Sequence, residues 1–349
     1  KYNEDLFKKV TTLPGATNHG MVMVLDWSGS MGDNLIGTLS QMYNLIWFCR
    51  RTKIPFEVFA FSDRYGGPKG RDVYSNEFKA GDIALKNFHL LNFFSSNMTL
   101  VEEMNMMHVL WMYAARYTGY RDWVENGYPY SPPRNLELGG TPLNEAVIAM
   151  MDLVPKFKND SGVQKVNTIF LTDDASSRIA GVFDYSFNSN TNEHTETIKR
   201  PPPHTKIIVT DPVVNKTYEV TEMTNDLLRM LKNRVPGMNV VGFFIAGSGR
   251  GGRVDKNTLY HLLDGNVSHQ EIMEKVKFLN TNKYLALTQK GYDEYYILPG
   301  GSALKTENTT LDDELIGAGK AKLKTAFGKM SKGKLASRQL LNKFVGMVA

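Results

Sequence analysis

The chain is expected to fold as an α/β protein built on a Rossmann-like, doubly wound, mostly parallel sheet. Three observations predict this. Five short apolar runs recur without polar alternation, the mark of strands covered on both faces. Between them lie segments with apolar residues at three- and four-residue spacing. Strand-like and helix-like segments alternate, which places helices on both sides of a parallel sheet.

The strand candidates are MVMVL (21–25), FEVFAF (56–61), HLLNFF (89–94), VNTIFL (166–171) and NVVGFFI (239–245). Helices are predicted over IGTLSQMYNLIWFCRRT (36–52), over TPLNEAVIAMMDLVPKF (141–157), with Pro142 as its first residue, and over TNDLLRMLKNRV (224–235), which stops at Pro236-Gly237. Two stretches break the rhythm, 64–138 and 175–223, and read as insertions into one domain. The first holds RYGGPKGRDVY, a helical run LVEEMNMMHVLWMYAARY and the loop-like NGYPYSPPRN. Its methionines read as a core-facing helix. The second holds SFNSNTNEHTE and then a hairpin, TKIIVTDPVVNKTYEVTE, with Asp211-Pro212 near its turn. A further hairpin is expected in YLALTQKGYDEYYILPGG and a terminal amphipathic helix in LASRQLLNKFVGMVA. The expected organisation is a lead-in (1–17), one domain (18–300) and a basic helical tail (301–349).

At 349 residues the chain can bury a large core, and 42% apolar content excludes a disordered chain. No apolar run approaches the roughly 20 residues that span a bilayer. KYNEDLFKKVTTLPG holds no apolar signal segment, so secretion is not expected, and the start at Lys1 without Met leaves open the expectation of a longer parent chain. The single cysteine, Cys49 in NLIWFCRR, excludes an intrachain disulfide and reads as a packed core thiol in a cytosolic protein. Net charge is +5, and six lysines without an acid fall between Gly317 and Lys334. Such a run is ordinarily a solvated helix face; nucleic-acid binding through it is a third-ranked reading.

The chemistry is expected at the strand ends, because ligands of open α/β sheets bind beyond the carboxyl ends of the strands. Asp26, Ser28 and Ser30 follow the first strand, and Thr172, Asp173 and Asp174 follow VNTIFL. Thr141 in ELGGTPLNEA opens a helix. Three loops thus deliver hydroxyls and carboxylates to one rim. Oxygen-only donors suit a hard cation, Mg²⁺, Mn²⁺ or Ca²⁺. Neutral hydroxyls leave such an ion poorly neutralised, so it would seek an anionic oxygen from outside, most simply an Asp or Glu carboxylate on a partner.

DWSGS matches the D-x-S-x-S signature of von Willebrand factor A domains, whose metal-ion-dependent adhesion site is completed by a Thr and an Asp from later loops. By that resemblance Asp26, Ser28, Ser30, Thr141 (in GGTPL) and Asp173 (in IFLTDD) are the implied metal ligands. Asp174 departs from the family's usual Asp-Gly, and could add a ligand or tune the ion. Within the superfamily, GGTPLNEA, the hairpin insertions and the tail most resemble CobT-type cobaltochelatase proteins and their relatives in large tailed phages. These imply a MoxR-class AAA+ ATPase as partner. The alternatives are a helix N-cap for D-x-S-x-S alone, and a phage structural or assembly protein with a vestigial or stabilising metal site.

Catalytic readings fare poorly. Ser28 stands where a HAD-type phosphatase needs a second Asp, and WSGSM lacks the first glycine of a nucleophile elbow. IGAGKAK lacks the glycine and the Ser/Thr of a phosphate loop. The seven histidines show no ligand spacing for zinc. AGSGRGGR (246–253) reads as a flexible loop. Metal-assisted hydrolysis would have only Asp174 as a base. The expectation is a non-catalytic, metal-dependent adaptor or substrate-recognition protein.

Overall fold

The computed structural model describes residues 18–63, 79–85, 88–118, 133–174, 181–188, 192–200, 202, 205–247, 254, 256–263, 267–288, 291–301 and 304. The expectations for the lead-in, RYGGPKGRDVY, most of NGYPYSPPRN, the glycine-rich 248–253 and the basic tail lie outside these residues.

With strands numbered in chain order, the central sheet contains β1 (His19–Asp26), β2 (Phe56–Asp63), β4 (Phe88–Ser95), β5 (Lys165–Thr172), β10 (Asn239–Ala246), β11 (Leu285–Leu287) and β12 (Glu294–Pro299). Their order is β11-β12-β10-β5-β1-β2-β4. The inner five run parallel, and the edge strands β11 and β4 are antiparallel to their neighbours. Successive side chains of β1 feed opposite cores. Met21, Met23 and Leu25 meet α1 (Leu35–Thr52) and α2 (Leu100–Thr118) through Leu39, Met42, Met107 and Leu110. Val22 and Val24 meet α3 (Leu143–Ser161) and α4 (Met223–Arg234) through Val147, Met150, Leu227 and Leu231. A third cluster joins Phe244 and Ile297 to α5 (Lys256–Leu262) and α6 (His269–Asn282) through Leu259 and Ile272. The fold is therefore a doubly wound, Rossmann-like α/β sandwich. No described helix is long and apolar enough to cross a membrane.

Strand order reverses beside β1, which has β2 on one side and β5 on the other. The chain leaves β1 for a helix on one face and reaches β5 from a helix on the other. Their loops diverge and open a crevice at the carboxyl ends.

Several expectations need correction. HLLNFF is a strand, but as an antiparallel edge it buries only Phe93 and Phe94 fully. The helical run of the first interruption packs on the main core, where the Tyr43 hydroxyl donates to the Met107 carbonyl at 2.8 Å, so β4 and α2 are integral. No element was expected in SFNSNTNEHTE, yet most of it is strand: β6 (Gly181–Asn188) and β7 (Glu193–Lys199) pair antiparallel and, with β3 (Ile83–Ala84), form a three-stranded sheet. The period-two spacing of Phe183, Tyr185 and Phe187 carried that signal beneath a polar composition. The TKIIV hairpin is present as β8 (Ile207–Asp211) and β9 (Lys216–Val220). The last hairpin is also present, and its second arm, β12, extends the parallel sheet beside β10. Helix α3 starts at Leu143 with Pro142 as its cap, one residue later than expected.

Arg234 ties the β8–β9 hairpin to the body. It donates to both Asp211 oxygens, at 2.6 and 2.9 Å, and to Asp152 at 2.7 Å. Removing it strands a buried carboxylate, so Arg234→Ala is expected to cost about 3 kcal/mol. The midpoint of urea unfolding measures this, and Arg234→Lys should recover only part because a lysine cannot bridge both oxygens.

Candidate metal centre

In the register of β1 and β5, Leu25 lies opposite Leu171, so the next residues, Asp26 and Thr172, stand together at the strand ends. The Thr172 hydroxyl donates to Asp26 Oδ2 at 2.8 Å. Asp26 is wholly buried, and its Oδ1 has no hydrogen-bond partner. From there a hydroxyl chain runs outward. Ser28 Oγ lies 3.0 Å from Ser30 Oγ, and Ser30 Oγ donates to Asp173 Oδ1 at 2.8 Å. Ser28 is buried while Ser30 is exposed, so the row leads from the interior to the surface.

Thr141 arrives by a separate route. Two residues before it, Gly139 pairs with Ser28 in a parallel bridge, and the Gly29 amide donates to the Gly139 carbonyl at 2.8 Å. Thr141 is half-buried just ahead of α3. Thus Asp26, with Ser28, Ser30 and Asp173, occupies the β1–β5 crevice, and the loop carrying Thr141 is laced to the same turn. Asp174 is exposed, and its amide donates to Thr172 Oγ1 at 3.3 Å.

Residues outside the D-x-S-x-S pattern hold this arrangement. Trp27 points the other way from its neighbours, is fully buried against Phe93 with ring centroids 5.2 Å apart, and donates through Nε1 to the Leu136 carbonyl at 3.0 Å. One side chain thereby clamps the first loop to the loop preceding Thr141. From the other flank Ser62 Oγ accepts from the Gly139 amide at 3.0 Å, and Asp63 Oδ1 accepts from the Gly140 amide. A Cβ on Gly139 would fall 1.6 Å from the Asp63 carbonyl oxygen, so only glycine permits this approach. Sequence reading placed Thr172 on the rim but missed Ser62 and Asp63 as supports; their position at the end of FEVFAF was the available signal.

Both acids of the crevice are held above the ordinary carboxylate range. Burial first, then the facing Asp173 carboxylate, push Asp26 up to about 7, against the pull of the Thr172 hydroxyl. Burial also raises Asp173 to about 6, with the Ser30 hydroxyl opposing and Asp174 adding to the rise. Among the described residues no three His, Cys, Asp or Glu side chains converge as a metal cluster. A cation here would rely on hydroxyls beside its two carboxylates. The residues fit such an ion: the donors are all oxygen, and the buried Asp26 Oδ1 makes no hydrogen bond among the described residues.

No protein-family model matches the chain, and no curated protein matches it significantly. Among solved structures, the pilus adhesin SpaC of Lactobacillus rhamnosus GG aligns with TM-score 0.40 and 12% identity, over 91% of this chain and 31% of the adhesin. Its open conformation aligns with TM-score 0.41 and 13% identity, over 90% and 30%. Proximal thread matrix protein 1 of the mussel byssus aligns with TM-score 0.30 and 12% identity, over 78% of this chain and 50% of its own. The chain thus spans about a third of the adhesin and half of the matrix protein.

In the metal-free protein the acids set a pH dependence of known sign. Their native pKa values, about 7 and about 6, lie above the ordinary 3.8, so between these limits the native state holds more protons than the unfolded one. Their stabilising effect is full below pH 4 and is lost as pH rises through 6 and 7. Denaturant titrations in EDTA should therefore show stability falling over that range, and Asp26→Asn should flatten the slope. Gly139→Ala, by the clash above, is expected to cost about 2 kcal/mol or more in the same assay.

Proposed function

We propose that the chain is a von Willebrand A-type protein-binding module that holds Mg²⁺, or Mn²⁺ or Ca²⁺ in its place, through Asp26, Ser28, Ser30, Thr141 and Asp173. The observation that carries this reading is the buried, unpartnered Oδ1 of Asp26, aligned in one row with two serines and a second acid. Bound there, the cation supplies an electrophilic position to an Asp or Glu carboxylate of a partner protein. Ser28 and Ser30 contribute neutral donors, which preserve that positive charge. Trp27 and Gly139 keep the two loops in register, so the geometry is set before a partner arrives.

The wider role is an adaptor or substrate-recognition protein acting in the cytosol beside a MoxR-class AAA+ ATPase. Its support is the GGTPLNEA resemblance and, for the compartment, the lone buried thiol of Cys49. No catalytic role is assigned to these residues.

Adding Mg²⁺ to the EDTA-treated chain is expected to raise its melting temperature, and more at pH 8 than at pH 5, because the ion then displaces fewer protons. Asp26→Ala combined with Thr141→Ala should abolish that shift while far-UV circular dichroism stays unchanged. Pull-downs from the native host should recover the partner in Mg²⁺ and lose it in EDTA. Equal recovery in both would overturn the proposal.

A further inference from the structure

The turn that carries Ser30 is tied at both of its ends. At the near end the Gly29 amide is bonded to the Gly139 carbonyl. The far end is Asn34, which closes the 3₁₀ turn Ser30–Asn34 and stands at the cap position of α1. An Asn at that position ordinarily turns its side-chain oxygen back onto the first N–H groups of its helix. Asn34 makes no such bond, although it is buried, 1% exposed. Its amide group is used elsewhere.

Asn34 Oδ1 accepts from the Gly301 amide at 2.7 Å, and Nδ2 donates to the Gly247 carbonyl at 3.4 Å. Gly247 follows β10 and Gly301 follows β12, and the Gly300 amide donates to the Ala246 carbonyl at 2.9 Å. Only a glycine at 300 permits this approach. A Cβ there would fall 1.9 Å from the Gly247 carbonyl oxygen and 2.6 Å from Asn34 Oδ1. One buried side chain thus joins the Ser30 turn to the carboxyl ends of two parallel strands, 213 and 267 residues further along the chain. Against the burial that raises Asp173, Asn34 stands with Ser30 among the hydrogen-bonding groups that oppose the rise. A side chain that abandons its local role for a distant one marks a functional position better than a structural convenience.

We propose that Asn34 is a positioning residue of the metal centre: its bonds to Gly247 and Gly301 fix where Ser30 presents its oxygen to the cation. The inference rests on the metal reading above and gives Asn34 no contact with the ion. Without the amide, the turn is tied at the Gly139 end alone. Groups that orient metal ligands in this way are commonly worth about 10- to 100-fold in metal affinity.

The test measures Mn²⁺ affinity of the full-length chain by electron paramagnetic resonance of the free ion. Asn34→Ser is the informative variant, because serine caps α1 as well as asparagine does but is too short to bridge to both strands. It is expected to weaken Mn²⁺ binding about 10-fold. In a Ser30→Ala background the same substitution should cause little further loss, since a residue acting through Ser30 then has nothing to position. Unchanged affinity in Asn34→Ser, with a lower melting temperature in EDTA, would reduce Asn34 to a tie between strands and overturn the inference. Losses that simply add to those of Ser30→Ala would overturn it as well. Should Asn34→Ser fail to fold, hydrogen exchange of the unaltered chain decides: Mg²⁺ should slow exchange at the Gly301 amide, which is not itself among the proposed ligands. Equal exchange with and without the ion refutes the link. Mn²⁺ binding that is absent from the unaltered chain, or that survives Asp26→Asn unchanged, refutes the metal reading itself and this inference with it.

Discussion

Two carboxylates, the buried Asp26 and the half-buried Asp173, are held near each other at the strand ends, and their mutual repulsion is answered by hydroxyls, backbone N–H groups and Asn34. That is a costly arrangement for a protein interior. It exists because strand order reverses at β1, which leaves the carboxyl ends of β1 and β5 facing a crevice instead of a crossing helix. Each strand delivers one acid to the same spot through ordinary parallel register. The sheet imposes the proximity, and the local side chains must live with it.

The loops around this crevice are tied together by packing and backbone hydrogen bonds. Trp27 is the pivot, since its ring is buried in the lower core while the residues on either side carry oxygens toward the crevice. Alternation along an extended chain permits this division of labour. Gly139 and Gly140 serve the opposite need, having no side chain to keep β2 away, so Ser62 and Asp63 can bind their amides directly. The oxygens of three loops are thereby set by packing and backbone bonds before any ligand contributes.

Local pattern revealed much of this. Both faces of MVMVL and VNTIFL are buried, so apolar runs without polar alternation marked them correctly, and the helical period of 36–52 and 141–157 marked their helices. HLLNFF carried the same composition, yet a strand's place at the edge or the centre is set by partners far along the chain. SFNSNTNEHTE drew no strand expectation because turn-forming residues dominate it and only Phe187 of the alternating Phe183, Tyr185 and Phe187 falls within it; antiparallel pairing with Lys199 and its neighbours overrides that composition. Within the candidate centre, DWSGS announced Asp26, Ser28 and Ser30, whereas Asp63 in FSDRYGG resembled any strand-end acid.

The sequence by itself determined which segments are strands or helices and which oxygens stand at their ends, because periodicity and end residues are local properties. Only the tertiary structure decided that Asp26 and Glu145 each keep a buried oxygen without a hydrogen bond, and that Trp27 clamps two loops 109 residues apart. The physical reason is the same in each case. Burial and repulsion depend on which distant residues the sheet order brings together, and no local pattern encodes that order.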